Sequence, residues 1–305
     1  MDFNSLFVTF ADNLLPIMLL GGAGFALGKA LVIDSRTVGR VVFYVFSPIL
    51  VFDLLIHAEL RSAEVLGTMG FAVAICASVG LLALILGWML KLERPVLMAL
   101  ILTAAFANTG NYGLPLVSFA FGKDALAYAS LYFVTNSLLF NTAGVLIASL
   151  GHMTLKTAAA GMLKVPAVYA VVLAALLNRY ELVLPLPLSR AVELAANGSI
   201  PLMIVLLGLE LSRVTWTHSL RPIGWSVGLR LLVSPLIGLL LAIPFGFQGA
   251  ARHGNLTESA MPAAVTNTVL ATEYGLDTGL VTAMIFVGTL LSPLTLTPFL
   301  SFLGK

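Results

Sequence analysis

Along the chain, long runs of apolar residues alternate with short polar gaps. Runs long enough to cross the hydrocarbon core of a bilayer fall at 6–30, 37–57, 65–90, 95–121, 125–150, 157–178, 189–211, 219–246, 255–275 and 278–303. They predict an all-α polytopic membrane protein of ten transmembrane helices. Two of these runs are interrupted. The fourth contains FANTGNYGLP at 106–115, and the ninth contains MPAAVTNT at 261–268. Glycine, asparagine and proline are poor helix formers, so both spans are expected to break at membrane depth.

Composition removes the soluble alternatives. Of 305 residues, 59% are hydrophobic and 10% charged, whereas soluble domains carry about 25% charged residues. The polar gaps are loop-sized, so no soluble domain can be cut out, and a net charge of +2 gives no reason to expect a nucleic-acid partner. The one cysteine, Cys76, lies in an apolar run and reads as a core thiol. MDFNSLF lacks a basic n-region and the run behind it is long enough to span, so no cleaved signal peptide is expected. An even number of spans puts both termini on one side. With both outside, nine Lys and Arg fall in inner loops, among them Lys29, Arg40, Lys91, Lys156 and Arg213, against six in outer segments. That bias favours both termini outside a cytoplasmic membrane.

The chain also repeats itself at an offset of 153 residues. Pro48 meets Pro201, Ala107 meets Ala260, Gly122 meets Gly275, Asp124 meets Asp277, and Phe133-Val134 meets Phe286-Val287. Leu138, Thr142, Leu150 and Gly151 meet Leu291, Thr295, Leu303 and Gly304. Over 122–151 there are 8 matches in 30 positions, where roughly 3 are expected from composition. The halves, 1–151 and 154–305, hold five helices each. An odd number turns the second half upside down, which is the inverted-repeat plan of many secondary transporters.

The repeat aligns the two breaks. Non-helical backbone at this depth requires protein or a water-filled cavity to satisfy its N–H and C=O groups, and two broken helices crossing at the pseudo-two-fold axis meet that need together. Half-helix N-termini near the midplane attract an anion such as a carboxylate, with Pro115 and Pro262 suited to first-turn positions. The opposing C-termini offer carbonyls for a cation. Asn108 and Asn111 add donors and acceptors whose charge does not change with pH. The competing reading is a kinked helix whose asparagines cap broken ends and touch no ligand.

These residues resemble the auxin efflux carrier family in its short bacterial branch. The likeness is carried by Asn108-Thr-Gly-Asn-Tyr-Gly-Leu-Pro115, Gly122, Pro262, Leu270-Ala-Thr-Glu-Tyr-Gly-Leu-Asp277, Thr289-Leu-Leu-Ser292 and Thr297-Pro298. The resemblance implies ten helices in two inverted five-helix repeats with crossed broken helices, the fold of bile-acid symporters, related to sodium–proton antiporters. It implies a scaffold domain (spans 1, 2, 6, 7), a transport domain (spans 3–5, 8–10), organic-anion substrates such as malonate or malate, and homodimerisation through the scaffold. The long central loop of the plant carriers is absent, which does not favour auxin itself as substrate.

Charges inside spans are expensive and functional by default. Glu258, placed like an acidic cation ligand of bile-acid symporters, is a candidate for H⁺ or Na⁺ coupling; the alternative is a helix-end carboxylate facing outer water. Arg230 is expected to pair with Asp53 or Glu210, or else to meet substrate carboxylate. Asn136 and Thr135 either line the cavity or pack between helices. Ser47-Pro48 and Ile200-Pro201 read as matching kinks. His57, His152, His218 and His253 show no metal-site spacing, and no cofactor is expected. No protease or zinc-hydrolase motif is present, so an enzyme is not expected. The reading is a carrier of small organic anions by alternating access, with Asn108, Thr109, Asn111, Tyr112, Pro262, Thr266 and Asn267 forming the site. A sodium–proton antiporter and a transporter-like sensor or channel are the alternatives.

Overall fold

A computed structural model describes residues 3–58, 60–149, 163–214 and 220–304. All long elements among them are helices: α1 (Asn4–Ala30), α2 (Ser35–Ile56), α3 (Ser62–Met89) and α4 (Arg94–Ala105) come first. The run Thr109–Ala148 is divided by Gly122, whose φ of 74° and ψ of −167° are accessible to glycine alone. It therefore contributes α5 (109–121) and α6 (123–148). α7 (Pro166–Arg179), α8 (Leu186–Leu211) and α9 (Leu220–Phe245) follow. α10 (Gly249–Ser259), α11 (Asn267–Glu273) and α12 (Thr278–Leu303) complete the chain. Gly275, at φ 66°, turns the chain between α11 and α12 much as Gly122 turns it between α5 and α6.

Prolines shape these helices in two ways. Pro95, Pro166 and Pro187 stand in first turns, where a missing N–H costs nothing. Pro16, Pro48, Pro115 and Pro235 each follow a widened π-type turn (Phe10–Leu14, Val42–Phe46, Thr109–Gly113, Leu229–Val233). Such a turn absorbs the ring that would otherwise strike the preceding carbonyl. Pro201 has no such turn and sits inside a continuous α8, so the expected matching kinks differ. Ser199 Oγ instead donates to the Phe46 carbonyl, 3.0 Å away across the α2–α8 interface.

α1 lies along α8, while α2 packs on α7 and α8. α3 packs on α4, α6 and α9, α10 lies against α6, and α9 against α12. The α1–α8 contact is backbone on backbone: a Cβ on Gly24 would lie 2.2 Å from the Val205 carbonyl oxygen, and one on Gly208 1.9 Å from that of Gly21.

Two boundaries differ from expectation. α10 starts at Gly249, not 255, because this polar half-helix is buried in protein from Gly254 to Ser259 and hydropathy does not register it. The run expected from 157 is interrupted at extended Val165, and α7 starts at Pro166; 157–162 lie outside the described residues. His152, Lys156, His218, Leu150 and Gly151 lie outside the described residues.

Candidate functional site at a helix crossing

α4 stops at Ala105 and α10 at Ser259, and the strands of chain beyond them meet. Ala107 and Ala263 form an antiparallel bridge. The Asn108 N–H donates to the Pro262 carbonyl (2.8 Å) and the Ala264 N–H to that of Phe106 (2.9 Å). Each break thus supplies the partners that the other lost with its helix. Side chains complete the join. Asn136 Nδ2 donates to the Ala107 carbonyl (3.2 Å) and Thr109 Oγ1 (3.3 Å), and Asn267 Nδ2 donates to the Phe106 carbonyl (3.2 Å).

The expected site residues divide around this join. Asn108, Thr109, Pro262, Asn267 and Asn136 are brought together and buried. Asn108 Nδ2 and Asn267 Oδ1 have no partner among the described residues. Asn111 is half-buried, its Nδ2 3.4 Å from Glu210 Oε2 on α8. The Tyr112 hydroxyl meets Ser292 Oγ on α12 at 3.0 Å. Thr266 is exposed at the start of α11, outside the network.

The two half-helix N-termini are unequal. The N–H groups opening α11 are committed, Asn267 to the Ala264 carbonyl (3.2 Å), Thr268 to Val265 (3.0 Å) and Val269 to Thr266 (2.9 Å). Those of Gly110 and Asn111 meet no carbonyl outside their own turn, Thr109–Gly113, among the described residues. Pro262 is not a first-turn residue as expected: it lies in the extended join, ahead of α11 at Asn267.

Two charges sit beside the crossing. Glu258 is fully buried and neither carboxylate oxygen has a partner among the described residues. The outward-facing alternative is therefore wrong, because α10 is held inside: a Cβ on Gly254 would fall 2.4 Å from the Ala125 carbonyl oxygen. The Glu258 carboxylate instead occupies the space over Gly113, where a Cβ would stand 2.2 Å from Oε2.

Arg230, 1% exposed, corrects a second expectation. It pairs with neither Asp53 nor Glu210. Among the described residues no carboxylate lies within 4.0 Å of its guanidinium. Asp53 is on α2 beside His57, whose Nδ1 is 3.6 Å from Oδ1, and Glu210 faces Asn111. The guanidinium has three backbone carbonyls in reach: Nε donates to Met261 (2.9 Å), Nη1 to Ala104 (3.0 Å) and Nη2 to Ser259 (3.0 Å).

Sequence reasoning missed Gly113 as the seat of Glu258, although it lies within the quoted motif. It also missed Thr257 and Thr289, whose buried hydroxyls lack partners among the described residues; no sequence signal marked Thr257, whereas Thr289 opens the Thr289-Leu-Leu-Ser292 stretch that carries the resemblance. A cleft of ≈ 510 Å³ walled by Leu231, Pro235, Leu239, Leu294 and Phe299 touches the crossing only at Ala260. It is apolar, and its hydroxyl, Thr295, is bonded to the Ser292 carbonyl.

Apolar helices in this number, with two interrupted spans joined at their breaks, define a multi-pass membrane protein of the transporter class. A family model described as membrane transport protein matches residues 9–160 and 152–300, and the chain belongs to that family, the auxin efflux carriers that the Asn108–Pro115 motif resembles. An uncharacterized transporter of Methanothermobacter thermautotrophicus is 28% identical over 303 residues, covering 95% of this chain and 97% of the relative. An uncharacterized transporter of Methanocaldococcus jannaschii is 28% identical over 276 residues, covering 86% and 87%.

Proposed function

We propose that the protein is a secondary carrier of small organic anions, mono- or dicarboxylates such as malonate or malate, working by alternating access. The observation that carries this reading is the crossing itself: a buried join of two broken helices, where the Gly110 and Asn111 N–H groups meet no carbonyl outside their own turn and Asn108 Nδ2 has no partner among the described residues. Free donors at a half-helix N-terminus suit a carboxylate. Asn108, Thr109 and Asn111 hold the anion, while Pro262, Asn267 and Asn136 fix the join, and Tyr112 and Thr266 flank it.

The ten-helix inverted repeat accounts for this arrangement. α4 with α5 forms the fourth span, and α10 with α11 the ninth. Two features support the repeat: the paired positive φ of Gly122 and Gly275, and the Ser199–Phe46 contact, whose partners are 153 residues apart like the repeat itself. The packing of α1, α2, α7 and α8 suits a scaffold, and that of α3–α6 and α9–α12 a moving domain. Glu258 is the group at which a coupling H⁺ or Na⁺ would act, the scaffold is the face for a homodimer, and the protein lies in the cytoplasmic membrane with both termini outside.

Malonate counterflow in proteoliposomes tests the reading, comparing wild type with Asn111→Ala, with and without Na⁺ at fixed pH. Saturable exchange that Asn111→Ala abolishes is expected. Exchange that does not saturate, or ligand binding without flux, would favour a channel or a sensor.

A further inference from the structure

The three carbonyls that hold Arg230 come from both interrupted helices. Ala104 lies in the last turn of α4, Ser259 ends α10, and Met261 lies in the join beyond it. These are C-terminal ends, where the helix dipole is negative and carbonyls lack intrahelical partners. In broken-helix carriers such carbonyls are the ligands for a coupling cation. Glu258, next to Ser259 in sequence and with two unpartnered oxygens, completes the oxygen set that Na⁺ would take. Here the three carbonyls, though not the carboxylate, already face a cation. Arg230 is carried in on the widened turn Leu229–Val233, and its fork spans both half-helices at 2.9–3.0 Å. Ser234 Oγ, on the same helix, also donates to the Ser259 carbonyl (2.7 Å), so that oxygen is doubly occupied.

We propose that Arg230 is a tethered cation: its guanidinium permanently fills the carbonyl seat that a coupling metal ion would use, and the protein works without Na⁺ at the crossing, so that of the two coupling ions named for Glu258 only H⁺ remains. The positive charge that holds the two half-helices together is supplied by the chain. A guanidinium suits this position because it cannot be deprotonated in proteins and presents donors in a rigid planar fork. The inference deepens the carrier reading by assigning the coupling seat, but its test needs no transported solute.

Removing the side chain should turn the seat into a binding site. In purified, detergent-solubilised protein, thermal midpoints are compared in sodium and choline chloride at equal ionic strength, with millimolar guanidinium as a second probe. Wild type is expected to melt at the same temperature in both salts. Arg230→Ala is expected to melt lower and to recover by about 3 °C, saturably, with Na⁺ or guanidinium. Arg230→Lys keeps a tethered charge and should remain indifferent to Na⁺. A saturable Na⁺ shift in wild type, or an Arg230→Ala protein that folds and responds to neither ion, overturns the proposal. Should Arg230→Ala fail to fold in every salt, wild type and Arg230→Lys decide: indifference to Na⁺ in both supports the tethered cation, and a saturable shift in either refutes it. Absence of malonate exchange would count against the carrier reading alone.

Discussion

The α1–α8 seam and the crossing are both places where one backbone meets another at contact distance, yet their chemistries are opposite. At the seam Gly24 and Gly208 remove side chains so that intact helices touch. In lipid, where no hydrophobic force drives helices together, such close approach and the dispersion it brings is a main source of association. At the crossing the helices are broken, and the contact is made by hydrogen bonds, asparagines, a buried arginine and a carboxylate without partners. An unsatisfied buried group costs about 1–3 kcal/mol, so the crossing gives up stability that the seam does not. The difference separates a seam closed by packing from a join that leaves polar groups unpartnered, as the proposed anion site requires.

The largest expected effect comes from attacking the seam. Gly208→Leu would drive a side chain into the Gly21 carbonyl, which lies 1.9 Å from the position of a Cβ. Backbone cannot move aside as a flexible side chain can, so a loss of about 3 kcal/mol or more is expected. It would appear as lost monodisperse protein in detergent and a collapsed melting transition. A normal melting midpoint would mean that the seam is looser than the glycines imply, and the contrast with the crossing would fail.

Next in size is Gly113→Ala. The new methyl meets the Glu258 carboxylate, 2.2 Å from Oε2, and about 1–3 kcal/mol of destabilisation is expected. A double-mutant cycle sharpens this. With Glu258→Ala in the background the methyl has room, so the penalty should largely vanish. Additive effects would show that the carboxylate does not press on Gly113. Asn136→Leu follows at about 1–2 kcal/mol, because it strips one bond each from the Ala107 carbonyl and Thr109 Oγ1 inside the join. The loss should be smaller for Thr135→Val, whose hydroxyl, among the described residues, bonds only the Leu131 carbonyl of its own helix.

The same contrast explains what could be read from the chain. Spans were legible because lipid-facing residues must be apolar, and both breaks were legible because Asn108-Thr-Gly-Asn and Met261-Pro interrupt long apolar runs. Gly122 and Gly275, which the 153-residue sequence offset aligns, both have positive φ. The start of α10 was hidden, since a polar half-helix enclosed by protein leaves no hydropathic trace. The partners of Arg230 were hidden for a different reason. Sequence letters name carboxylates but not backbone carbonyls, and the guanidinium took carbonyls freed by helices that end in the membrane.

The smallest effect on stability tests the boundary between the two regions. Glu210 stands on α8, the seam helix, and accepts from Asn111 of α5 across 3.4 Å, a long bond near the limit of the interaction. Glu210→Gln keeps the shape and should change stability by less than about 1 kcal/mol. Its effect on an anion should be larger than its effect on folding. A carboxylate held against Asn111 occupies the amide that the substrate would use and repels its charge. Where Glu210 is ionised, neutralising it should lower the apparent KM for malonate by roughly threefold to tenfold, about 1 kcal/mol of like-charge repulsion. A KM unchanged by Glu210→Gln but raised by Asn111→Ala would mean that Asn111 leaves Glu210 before the anion arrives. The polar contact between seam and crossing would then belong to only one of the states that the proposed alternating access requires.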